Sequence, residues 1–161
     1  MHQTQHRLLA MSELRELYQE MILDHGRHPR NCHVLANANR QAEGFNQLCG
    51  DRLTVYLNVE NNTIKDISFT GSGCAISMAS ASLMSETLKG KTEQEAQLFF
   101  QNFHELLTHE KEQTNPIDDF NKLTIFSGVK AYPARVKCAT LAWHTLHAGL
   151  QQQKKTVSTE N

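Results

Sequence analysis

Several things are scarce in this 161-residue chain, and each scarcity excludes something. Net charge is only −1 with the histidines neutral, so no basic footprint for nucleic acid and no polybasic membrane anchor is present. No apolar run is long enough to span a bilayer. The first ten residues, Met1 to Ala10, are mostly polar and lack the apolar stretch of a secretory signal, which leads to a cytoplasmic expectation. Cysteine is sparse, at four residues, and no Cys-x-x-Cys pair occurs. A chain this long can bury a core without disulfides. In a reducing compartment, cysteines more often bind metal or do chemistry than cross-link. The remaining composition, 39% apolar and 20% charged, is that of one ordinary globular domain.

Periodicity sets the expected elements. Leu14, Leu17, Tyr18, Met21 and Ile22 recur at helical spacing over 12–25, with Ser12 as a cap and Gly26 as a stop. Residues 1–11 precede this helix and are expected to be a disordered extension. Met11 resembles a natural start, which the intact mass of natively expressed protein tests. Residues 27–39 read as loop and Arg40 to Phe45 as a weak strand. Leu53, Val55, Leu57 and Val59 alternate with polar residues, the period of a strand with one buried face. Asn61-Asn62 predicts a turn into a second arm, Ile64 to Thr70. A helix over 75–88 follows, stopped by Gly90, and then one from Thr92 to about Leu107 with Leu98, Phe99 and Phe103 as its apolar residues. Residues 108–117 read as a surface loop and Asp118 to Phe126 as a short helix. The last helix, about 134–152, carries Val136, Ala139, Trp143, Leu146 and Leu150 inward. Residues 153–161 are expected to fray. Strands followed by helices predict an α+β fold: a small antiparallel sheet of about three strands, helices on one face, in one domain over 12–152.

Three cysteines occupy positions with chemical meaning. Cys49-Gly50-Asp51 precedes the best strand, and a glycine between two donor side chains lets both aim at one point. Cys74 leaves Gly71-Ser72-Gly73 at the start of a helix, where the helix N-terminus favours a thiolate. Cys138 lies about 110° around the last helix from the centre of its apolar stripe, so it is not an obvious core residue. Arg135 stands three residues before it. Three thiolates and a carboxylate can hold zinc, and thiolates also hold iron–sulfur clusters. One hard carboxylate among soft sulfurs fits an exchangeable site better than a closed structural one. The bland alternative is that these cysteines are small packing residues.

Cys32 has no such context and reads as a loop cysteine without a role. His25 reads as a helix-end residue. His104 and His109 read as part of a solvated face, and His144 and His147 as outward neighbours of the core stripe. Lys137 is either a surface charge or a cation that tunes the adjacent thiol.

At these positions the chain resembles the SufU proteins of the wider IscU and NifU-N-terminal family of iron–sulfur cluster assembly. The resemblance rests on Leu48-Cys49-Gly50-Asp51, on Gly71-Ser72-Gly73-Cys74-Ala75-Ile76-Ser77, and on Pro133-Ala134-Arg135-Val136-Lys137-Cys138-Ala139-Thr140-Leu141-Ala142-Trp143. Tyr18, His25, Pro29, Arg30 and Asn31 fit the family's opening segment. It spans Met11 to Gly149. It implies an IscU/SufU-like fold and a zinc ion on Cys49, Asp51, Cys74 and Cys138. It also implies a SufS-type cysteine desulfurase as partner, alongside other Suf cluster-assembly proteins. In the family a desulfurase histidine takes one coordination place and frees the cysteine matching Cys49, which then accepts persulfide sulfur, as a sulfurtransferase does. Arg135 is implied as an auxiliary that pairs with the freed Asp51. Two departures separate the chain from IscU. Lys137 replaces the histidine before the last cysteine, and Tyr132-Pro133-Ala134-Arg135-Val136 replaces the Leu-Pro-Pro-Val-Lys segment read by a dedicated Hsp70, so that partner is not implied. The alternative functions are a scaffold holding iron or a labile [2Fe–2S] cluster on Cys49, Cys74 and Cys138, and a purely structural zinc domain that docks other proteins.

Overall fold

The computed structural model describes residues 16–108, 118–152 and 156–158. Helix α1 covers 16–27 of this range; Ser12, its expected cap, lies outside the described residues, as do His109 and most of the expected 108–117 loop. Strands β1 (Arg40–Asn46), β2 (Asp51–Glu60) and β3 (Thr63–Ser72) follow. Helices α2 (Ala75–Leu88) and α3 (Glu93–Thr108), a run of 3-10 turns (Asp118–Ala131), helix α4 (Pro133–Leu150) and strand β4 (Val157–Ser158) complete the order.

The strands form one sheet in the order β3-β2-β1-β4. The first three pair antiparallel, as the alternating pattern requires. The β2–β3 turn uses Asn61 and Asn62 at φ 52° and 61°, the left-handed pair that a two-residue hairpin needs and asparagine tolerates. Ile64 and Ile67 stand three apart, which a regular strand would send to opposite faces. A register shift beside Asn58 and Val59 corrects this, and both isoleucines are fully buried. The sheet corrects one expectation: it is four-stranded and mixed, because Val157–Ser158 of the expected frayed tail pairs parallel with Gly44 and Phe45 of β1. On the opposite margin, β3 is covered by loop backbone, with Phe69 N–H donating to Asn31 O and Ile64 N–H to Lys91 O.

Leu53, Val55 and Leu57 are completely buried on one face of the sheet, against the helices. Each such side chain contributes about 1.5–3 kcal/mol by leaving water. α3 presents Ala96, Phe99, Phe103 and Leu107 inward, a helical stripe, while Leu98 stays half exposed. Its start is a reciprocal cap: Glu95 N–H donates to Thr92 Oγ1 and Thr92 N–H to the Glu95 carboxylate, both at 3.1 Å. The 118–131 segment differs from the short helix expected there, running farther and in tighter 3-10 turns.

Helix α4 is the central element. It touches β1, β2, α2 and α3, and Pro133 opens it where a missing N–H costs nothing. Trp143 is buried within it and stacks on Phe103 at 4.9 Å. The approach of α4 to β1 depends on Gly44. A methyl there would overlap Thr145 Oγ1, which is fixed by its bond to Leu141 O at 2.7 Å, and would press on Leu141 Cδ1 at 3.1 Å. On the α2 side, buried Ser80 donates to the backbone oxygen of Ala139 in α4, while the buried Ser82 and Ser85 hydroxyls bond the 25–31 segment instead. No helix among the described residues is long and apolar enough to cross a membrane.

Gly44→Ala is expected to cost about 1–3 kcal/mol through overpacking. A lower denaturant midpoint with an unchanged slope checks it.

Candidate metal centre

The expected site residues come from three separate elements. Cys49 and Gly50 sit in the β1–β2 turn, Asp51 opens β2, Cys74 caps α2, and Cys138 lies in the second turn of α4. Gly50 has φ 73°, the bend that the Cys-Gly-Asp spacing called for. Cys49, Asp51 and Cys138 each place a donor atom within 4.8 Å of the other two. The Cys138 and Cys49 sulfurs are 3.1 Å apart. Zinc–sulfur bonds of about 2.3 Å would set tetrahedral ligands about 3.8 Å apart, so small side-chain shifts fit this donor set to a zinc-sized cation.

Cys74 stands beside this trio. Its sulfur accepts from Ser77 N–H at 3.5 Å, and it is not one of the three donors that lie within 4.8 Å of one another. Its own N–H donates to Asp51 Oδ1 at 2.8 Å, tying the α2 start to the carboxylate. The second Asp51 oxygen, Oδ2, accepts from Asn46 Nδ2 at 3.1 Å. Asp51 is fully buried, so these bonds replace its water. Gly73 makes the arrangement possible: a Cβ at that position would stand 2.6 Å from Asp51 Oδ1.

Exposure is graded. Cys49 is exposed, Cys74 intermediate, and Asp51 and Cys138 buried. The burial of Cys138 corrects the reading from its helical angle. α4 is surrounded on several sides, so a residue off the main stripe is still covered. Burial pushes the Cys138 thiol well above its ordinary range, and hydrogen bonds with Cys49, Asp51 and Cys74 add to this. A cation bound there acts the other way, because a coordinated thiol is deprotonated.

Other expectations fall elsewhere. The Arg135 guanidinium is exposed and rests over the Tyr132 ring at 4.4 Å, at the start of α4, rather than on Asp51. Lys137 is partly buried. Cys32 is exposed, away from the centre, in keeping with a loop cysteine. His25 is buried between α1 and α2, with Nδ1 2.8 Å from Ser82 Oγ. His104, His144 and His147 do not lie on separate solvated faces but gather around Phe100, where burial and the neighbouring imidazoles push the His144 pKa down. Asn46 was missed by sequence reasoning. Its signal was its place in the hairpin, directly across from Asp51, legible only once the β1–β2 register is known.

The model of the NifU-like N terminal domain matches residues 17–139. This chain belongs to that family. Within the family it is 36% identical over 143 residues to the zinc-dependent sulfurtransferase SufU of Bacillus subtilis, covering 89% of this chain and 95% of that protein. It is 40% identical over 141 residues to the iron–sulfur cluster assembly scaffold protein IscU of Thermotoga maritima, covering 84% and 94%. A solved structure from Fervidobacterium islandicum, described as a scaffold candidate for the SUF system, superposes with TM-score 0.76 at 37% identity, covering 81% and 94%. The fold and the family are those the three cysteine motifs implied: an α+β protein of the IscU/SufU group of iron–sulfur cluster assembly.

Gly73→Ala is expected to push the Asp51 carboxylate away from Cys74 N–H and weaken metal binding at this candidate centre about tenfold. Competition against a chromogenic chelator measures it.

Proposed function

We propose that this chain is a sulfur acceptor in iron–sulfur cluster assembly, taking persulfide sulfur from a SufS-type cysteine desulfurase onto Cys49. Zinc would be held by Cys49, Asp51, Cys74 and Cys138. The observation that carries the reading is the graded exposure of the centre: Cys49 is exposed on a turn while Asp51 and Cys138 are buried. One ligand can leave and three can stay.

The residues divide the work. Cys49 is the nucleophile, since an attacking thiolate must reach a partner's sulfur. Its sulfur attacks the outer sulfur of the desulfurase persulfide. A bond forms between Cys49 Sγ and that sulfur, the persulfide S–S bond breaks, and the desulfurase cysteine leaves as a thiolate. Cys49 ends as a persulfide, with no net oxidation. Asp51 and Cys138, held by buried hydrogen bonds, keep their places meanwhile. Bound zinc would keep the thiols deprotonated and shield them from oxidation. Arg135, exposed and three residues before Cys138, would have to leave the Tyr132 ring to pair with a carboxylate of the centre. The similarity to a B. subtilis protein named a zinc-dependent sulfurtransferase supports the same reading.

A second reading, a scaffold for a labile [2Fe–2S] cluster on Cys49, Cys74 and Cys138, is supported by the T. maritima relative named a scaffold. Three sulfurs and a weak oxygen ligand would hold a cluster loosely.

Purified protein should contain one zinc per chain and raise desulfurase turnover, and one sulfur should appear on Cys49. Cys49→Ser should abolish both the stimulation and the added mass; full stimulation by that variant would sink the acceptor reading. Anaerobic reconstitution that yields a transferable chromophore would favour the scaffold instead. Zinc removal should leave the far-ultraviolet circular dichroism largely intact, whereas a structural zinc domain would unfold.

A further inference from the structure

Asn46 closes β1, and its amide is completely buried beside Asp51. Its Nδ2 donates twice into the centre, to Asp51 Oδ2 at 3.1 Å and toward Cys138 Sγ at 3.5 Å. Its Oδ1 is buried without a hydrogen-bond partner among the described residues. Buried amide oxygens are rarely left unpaired, and each one that is calls for a reason. The reason lies in the neighbours. Turning the amide over would set its oxygen against the Asp51 carboxylate, oxygen to oxygen. The carboxylate therefore fixes the amide with its N–H groups toward the ligands, and the orphaned oxygen is the consequence.

Asp51 is thus gripped from both sides, by Cys74 N–H on Oδ1 and by Asn46 on Oδ2. The Asn46 amide reaches both the carboxylate and the Cys138 sulfur through one rigid group. We propose that Asn46 is a positioning residue of the metal centre: its amide N–H groups hold Asp51 and Cys138 as a fixed pair, so that the buried side keeps its shape when Cys49 departs. This rests on the sulfur-acceptor reading of the site and deepens it. Hydrogen bonds from outside the ligand set orient ligands and tune their donor strength, and their loss typically weakens metal binding about 10–100-fold.

The test uses full-length protein carrying Asn46→Leu, which fills much the same space without an N–H donor, and Asn46→Ala. Zinc affinity is measured by chelator competition, and the sulfur-to-cobalt charge-transfer bands are recorded after Co2+ replaces zinc. Loss of the donor should weaken zinc binding at least tenfold. It should also move the cobalt bands to lower energy, because a thiolate stripped of a hydrogen bond gives up its electrons more easily. A merely structural asparagine would lower the stability of the metal-free protein but leave the band position and the affinity of the folded fraction unchanged. A folded variant with wild-type zinc affinity and unmoved bands overturns the proposal. If one substitution prevents folding, the other is read in the same way. Failure of wild-type protein to bind zinc would instead sink the acceptor reading itself, so the two failures separate.

Discussion

The close seating of α4 on β1 and β2 is the constraint from which the rest follows. It requires Gly44 under Thr145, small residues along the helix, and the Ser80 bond to the Ala139 backbone oxygen where α2 meets its other side. A helix held that closely cannot slide or turn without driving side chains into backbone. Its second turn therefore arrives at one end of the sheet, where Cys138 meets the start of β2. Residues far apart along the chain share a centre because a packed interface, not a local motif, brings them there.

Within that centre the hydrogen bonds are unequal in purpose. Those around Asp51 immobilise a buried carboxylate using a backbone N–H and an amide. Cys49, by contrast, sits on an exposed turn. A rigid buried half and an accessible half meet at sulfur contact distance. The division suits a site that must retain its form while one member undertakes chemistry outside it.

Much of the fold was legible from the sequence, for identifiable reasons. The alternation at Leu53 to Val59 gave β2, the asparagine pair gave its turn, and Thr92 gave the start of α3. The strand β4 was not legible, because two residues in a polar tail carry no period. The burial of Cys138 was not legible, because helical angle measures one stripe, whereas α4 is covered on several sides. The cysteines were found because their residue type announces chemistry. Asn46 has an ordinary type, and its significance comes from pairing across the hairpin, which demands the register in advance. The imidazole cluster at Phe100 escaped for a similar reason: its members, from His104 on α3 to His147 on α4, lie far apart in the sequence.

The two margins of the sheet carry a further consequence. β4 lies along β1 at Gly44 and Phe45, and loop backbone satisfies amides of β3 at Ile64 and Phe69. An unpaired strand edge is a template on which other chains can add. Here the outward edges of β1 and β3 are each partly occupied by the protein's own backbone, which narrows the length of sheet open to a foreign strand. In the proposed sulfur-acceptor role, partners would thereby meet the protein through side chains and loops, with little opportunity for indiscriminate backbone zippering.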